Sequence, residues 1–121
     1  MTDDVFADRV AKVRQRFVSS LQAKIDGTSA AIPELGGDAP PAVAAVAEAY
    51  RCIHGIVGIG RTVGFPGTGL AAHEVEDVLR PPYQAGRGLT AGEISLLSET
   101  LLALRAVAAR ELQSFRSPPK A

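Results

Sequence analysis

Apolar side chains return every third or fourth position along the start of the chain: Phe6, Val10, Val13, Phe17, Leu21 and Ile25. That period places them on one stripe of a helix running from about Asp3 to Ile25. Asp3 and Asp4 suit the positive end of the helix dipole, and Gly27 is placed to stop the helix. A loop holding Pro33, Gly36 and Gly37 follows. The next stripe is Val46, Ala49, Ile53, Ile56, Gly60 and Val63. It predicts a helix that starts at an Asp38 N-cap, with prolines in its first turn, and ends near Gly64. A third helix is expected from about Thr68 to Leu79, closed by Pro81-Pro82, with a glycine-containing loop over Tyr83 to Leu89. Thr90 and Glu93 have capping-box spacing, and Ile94, Leu97, Leu101, Leu104, Ala108 and Leu112 then form a fourth stripe. The end of the chain, about 117–121, is expected to fray. Four one-sided helices in a short chain bury their stripes most economically against one another. The predicted fold is therefore all-α, an antiparallel up-down four-helix bundle, as a single domain over residues 1–121.

Composition narrows the choice of partners. The 121 residues are 46% hydrophobic, enough to bury a core. Thirteen Lys and Arg balance thirteen Asp and Glu, and the chain has no Trp. Neither a basic clamp nor a base-stacking platform is expected, hence no nucleic-acid partner. The single Cys52 excludes an internal disulfide and a multi-cysteine zinc site, and it reads as packing. No continuous apolar run approaches the roughly 18 residues of a membrane span. The opening MTDDVFADR lacks the order of a signal peptide. The expectation is a cytoplasmic monomer with no membrane partner.

The unusual segment runs from Tyr50 to Leu79. It places Gly55, Gly58 and Gly60 inside a predicted helix, where each costs about 0.8–1 kcal/mol relative to alanine. At 100° per residue, Val57, Gly58 and Arg61 lie within about 60° of His54, while Ile53, Ile56, Gly60 and Val63 face the core. His54 should therefore point outward above the bare backbone of Gly58, and Gly60 should admit a neighbouring helix. On the next helix His73 and Glu76 share a face. Reflection through a turn near Phe65 brings His54 and Glu76 to the same height. A carboxylate beside one imidazole nitrogen holds that N–H and fixes the tautomer, leaving the other nitrogen free as a nucleophile.

The spacing His54, Ile56, Gly58, Gly64, His73 and Glu76, with Phe65 and Val78-Leu79 also fitting, resembles the histidine-containing phosphotransfer domain. It is most similar to the version at the N-terminus of chemotaxis histidine kinases. The resemblance covers about 26 residues and implies a four-helix bundle that carries a phosphoryl group on His54. It implies that Glu76 and His73 orient the imidazole and that Gly58 leaves room for a partner's active site. The implied partners are a histidine kinase and a response-regulator receiver domain. The chain itself would bind no cofactor and no metal, Mg²⁺ being held by the receiver. The resemblance gives no kinase activity to this chain, only a phosphotransfer intermediate. One position departs from the family. A lysine usual three residues after the histidine is Val57 here, and Arg61, about 20° from the direction of His54, is the candidate substitute.

Other readings compete with this one. Gly55 to Thr62 almost spells a nucleotide-binding P-loop, but it follows an alanine-rich helical run and no parallel-sheet pattern exists. Gly58, Gly60 and Gly64 miss the dinucleotide spacing. His54, His73 and Glu76 make a possible two-histidine, one-carboxylate metal set. His73 reads equally as a surface histidine, and Glu76 and Arg61 as surface charges. Val57 motivates a functional alternative, a binding module that inhibits a kinase or sequesters a receiver without being phosphorylated.

Overall fold

The computed structural model describes residues 2–116, so the expectation for 117–121 lies outside the described residues. Its helices are α1 (Thr2–Ala31), α2 (Pro40–Thr62), α3 (Pro66–Ala85) and α4 (Ala91–Arg116), with a short 3-10 turn at Ile32–Glu34. Each runs antiparallel to the next, giving the all-α four-helix bundle. One core cluster draws on all four, with Leu21, Ile53, Ile56, Leu79, Leu97 and Leu104 among its sealed side chains. All six stripe residues of α2 are buried, as are Leu97 to Leu112 of the α4 stripe; Ile94 is half-buried against them.

The α1 stripe divides. Phe17, Leu21 and Ile25 are buried, but Phe6 is 70% exposed and Val13 40%. The cause is a mismatch of lengths. The 30 residues of α1 run about 45 Å, against about 35 Å for the 23 of α2. Arg14 Nε donates to Val63 O, at the end of α2, at 2.7 Å, so the residues before it run past the α2–α3 turn.

Three helix ends differ from the sequence reading. Gly27 does not stop α1. Its Cα faces open space, and the next residue, buried Thr28, donates back to Lys24 O at 3.0 Å within the continuing helix. Asp38 is not the N-cap of α2; Ala39 is, without a side-chain cap. Pro40 and Pro41 occupy the first turn and carry no N–H, so a capping carboxylate would find fewer donors to accept from. Pro81-Pro82 do not close α3, which continues to Ala85. The two prolines remove two ladder hydrogen bonds, but Pro82 is buried and the helix finishes in a Schellman motif. Gly86 there takes φ +66°, and Arg87 N–H reaches Pro82 O at 3.1 Å.

Two features fix the frame around the site. At the α2–α3 turn, a Cβ on Gly60 would stand 3.4 Å from Gly69 Cα, so the two helices touch almost backbone to backbone. The carboxylate of Glu111 on α4 caps the start of α3, accepting from Gly67 N (3.0 Å), Thr68 N (2.6 Å) and Thr68 Oγ1 (2.6 Å). At the other end the α1–α2 and α3–α4 loops are clasped. Leu89 N donates to Leu35 O at 2.8 Å, and a Cβ on Gly88 would overlap the Gly37 carbonyl.

Helix α2 also qualifies by length and by a window mean hydropathy of 1.4 for a membrane span, although no continuous apolar run does. Alanine, valine, isoleucine and glycine supply that average. The same helix carries Glu48, Arg51, His54 and Arg61 on its exposed side and six buried residues on the other.

Candidate functional site

His54 leaves α2 on its solvent side, opposite Ile53 and Ile56, and its side chain is 67% exposed. Glu76 sits opposite on α3, with its side chain 5% exposed. Glu76 Oε2 accepts from His54 Nδ1 in a short hydrogen bond. This bond assigns the N–H to Nδ1 in the neutral ring and leaves the Nε2 lone pair facing outward. The antiparallel hairpin explains the meeting, because the Val63–Phe65 turn sets the two residues at the same height. Gly64 takes φ +92° in that turn, a conformation that favours glycine.

The neighbouring positions follow the expected geometry in part. Gly58 is exposed, and a Cβ there would meet nothing within 4 Å, so bare backbone lies one turn below the imidazole. Val57 is half-buried and packs on the core. Arg61 is exposed, with its stem over Gly69; a Cβ on Gly69 would lie 3.2 Å from Arg61 Cγ. His73 is not brought to the imidazole as a hydrogen-bond partner. Its Nδ1 lies 3.4 Å from Asp77 Oδ2 on its own helix, both side chains being over two-fifths exposed. The competing two-histidine, one-carboxylate arrangement is not assembled: among the described residues no three His, Cys, Asp or Glu gather around a common point.

No family model, curated protein or solved structure matches this chain. The functional argument therefore rests on the site.

Four residues at the site were not singled out in the sequence. Tyr50 stacks on the imidazole, with centroids 5.8 Å apart and planes 14° apart, and Tyr83 stacks on Tyr50 at 4.2 Å and 8°. Arg80 Nη2 donates to Glu76 Oε1 at 2.9 Å and Nη1 to Asp77 Oδ1 at 2.6 Å. Asp77, then the Tyr50 hydroxyl, hold the Arg80 guanidinium still further in its charged form than usual. The signals were present. Tyr50 precedes His54 by one helical turn, Arg80 follows Glu76 by one, and the reflection that pairs His54 with Glu76 pairs Tyr50 with Arg80.

The site is a surface feature. A cleft of about 370 Å³ between α1 and α2 is lined by Lys24, Thr28, Glu48 and Cys52 among others, and not by His54 or Glu76. Cys52 Sγ lies there 3.9 Å from Lys24 O and Thr28 Oγ1. A free ring nitrogen on an open face can react with a group presented by a macromolecule. It offers a small substrate little enclosure.

Proposed function

We propose that this chain is a phosphorelay carrier that accepts a phosphoryl group on His54 Nε2 and exchanges it with a receiver aspartate or a histidine kinase. The observation that carries this reading is one arrangement: an exposed imidazole, its Nδ1 held by buried Glu76, above the open backbone of Gly58. The family resemblance of the 54–79 segment supports the same reading. In the step from a receiver, the Nε2 lone pair attacks phosphorus. An N–P bond forms, the P–O bond to the aspartyl carboxylate breaks, and the carboxylate leaves with the bonding pair. The ring gains positive charge as the N–P bond forms. Glu76 stabilises that charge while the proton remains on Nδ1. Mg²⁺ and the groups that neutralise the phosphoryl oxygens belong to the partner. Arg61, about 20° from the direction of His54 around the helix axis, is the candidate to add charge from this chain. His73 sits one turn nearer the hairpin turn, level with Val57.

The test is incubation with phosphorylated receivers and kinases encoded beside the gene. Wild type is expected to gain acid-labile phosphate that His54→Gln does not. A His54→Gln variant that labels as well as wild type rejects the assignment. A second reading, the unphosphorylated binding module, is favoured by the uncharged, half-buried Val57. It expects wild type to bind its partner without labelling and Val57→Lys to switch labelling on.

A further inference from the structure

The buried Glu76 carboxylate raises a question that the His54 hydrogen bond alone does not answer. A carboxylate 5% exposed needs a counter-charge. If the imidazole were its only partner, the ring would be drawn to take a second proton. An imidazolium has donors on both nitrogens and no lone pair for a nucleophile. We infer that Arg80 is a positioning residue that removes this conflict. It supplies the counter-charge to Glu76 through Oε1, so that Oε2 orients His54 while the ring stays neutral. The inference rests on the phosphorelay reading only for the use to which the free Nε2 is put.

The surroundings supply what this role needs. Arg80 lies four residues after Glu76 on the same helix, so the clamp is local and does not depend on a docked partner. Its second nitrogen bonds Asp77, which fixes the guanidinium in place. The Tyr50 ring lies along the imidazole and is backed by Tyr83. The titratable and charged groups on the facing sides of the two helices are Tyr50, Arg51 and Arg61 from α2 and His73, Asp77, Arg80 and Tyr83 from α3. Among the described residues, Arg80 is the cation bonded to the Glu76 carboxylate.

The experiment reads the ring itself. In ¹⁵N-labelled protein at neutral pH, long-range ¹H–¹⁵N correlation distinguishes a neutral Nδ1–H imidazole from an imidazolium. Wild-type His54 is expected to show the neutral Nδ1–H pattern. Arg80→Met should move His54 toward the imidazolium pattern, Arg80→Lys should restore the neutral form, and His73 serves as internal reference. Labelling of His54 by phosphoramidate should fall roughly tenfold in Arg80→Met, the scale of one lost charge-assisted hydrogen bond. Arg80→Gln, a donor without charge, should behave as Arg80→Met and replaces it if the methionine variant misfolds. An unchanged His54 spectrum in Arg80→Met or Arg80→Gln overturns the inference, as does an Arg80→Lys spectrum no closer to wild type than Arg80→Met. The spectrum does not depend on phosphotransfer. A wild type that never labels defeats the phosphorelay reading and leaves the spectral result standing.

Discussion

Glu76→Gln separates orientation from mere burial at the site. The carboxylate has two acceptor oxygens, and each is used: Oε2 by His54 Nδ1–H and Oε1 by Arg80 Nη2 at 2.9 Å. An amide of the same shape has one acceptor oxygen and a donor NH₂. It can serve His54 or Arg80, and the other must face a donor. A hydrogen bond to a charged group contributes about 1.5–3 kcal/mol, and its neutral counterpart about half as much. The weakened hold on the ring is therefore expected to cost about 1.5 kcal/mol, or roughly tenfold in the rate of His54 phosphorylation. The product carries a second signature. In wild type Glu76 covers Nδ1, so the proposed phosphoryl transfer is expected to give only the Nε2 product. In Glu76→Ala both nitrogens are open and an Nδ1 isomer is expected as well. The assay is labelling with phosphoramidate, with His54 and His73 distinguished by peptide mass and the two isomers by ³¹P NMR. A Glu76→Gln protein that labels at the wild-type rate, with a Glu76→Ala protein still giving only the Nε2 isomer, refutes the reasoning. Stability is expected to fall in Glu76→Gln as well, because the amide leaves one donor facing another where the buried carboxylate accepted from both.

Three further outcomes follow from the frame. Gly58→Ala removes a helix-interior glycine in open space, so thermal melting should show a gain of about 0.8–1 kcal/mol while transfer to a receiver slows; a loss of stability would show that the Gly58 surface is not free. Glu111→Ala strips three hydrogen bonds from the start of α3 and leaves the hydroxyl of buried Thr68 unpaired, so denaturant melts should show a loss of about 2–3 kcal/mol. Glu93 is lowered to about 2, by Arg87 first and then by the Thr90 N–H. A depressed carboxylate stabilises the fold above its unfolded value, and that contribution is lost as pH falls from the usual 4.5 toward 2. With its side chain 23% exposed, solvent screening limits the contribution to about 1 kcal/mol. Wild type and Glu93→Gln should therefore differ by that much at pH 7 and converge as the pH approaches 2.

The bundle was legible because each stripe repeats at the helical period over several turns. The inward stripe of α2 is buried residue by residue, and the Thr90–Glu93 capping box forms both of its hydrogen bonds. What the period does not contain is where a neighbour ends. Phe6, Val10 and Val13 repeat as regularly as Phe17 and Leu21, yet α2 stops level with Arg14 and leaves Phe6 and Val13 uncovered. Proline read as a terminator failed at Pro81-Pro82, where tertiary packing of Pro82 and Tyr83 outweighs the lost ladder bonds. At the site, the pairing of His54 with Glu76 followed from the reflection through the hairpin. Tyr50 and Arg80 follow from the same operation, but neither belongs to the recognised spacing, and so they stood out only as geometry. His73 shares a face with Glu76, but that left open its choice between His54 and Asp77, one turn away on its own helix.

The near-contact of Gly60 with Gly69 has a consequence for inheritance and for engineering. Imidazole, buried carboxylate, guanidinium and aromatic shelf all ride on two successive helices whose backbones are pinned together beside their connecting turn. The arrangement is thus the property of one contiguous stretch of polypeptide. The first and last helices enter this unit mainly as cover, apart from Arg14, which bonds the end of α2, and Glu111, which caps the start of α3. A transplant of residues 40–86 onto another pair of covering helices that supply those two contacts should carry the imidazole along already aimed.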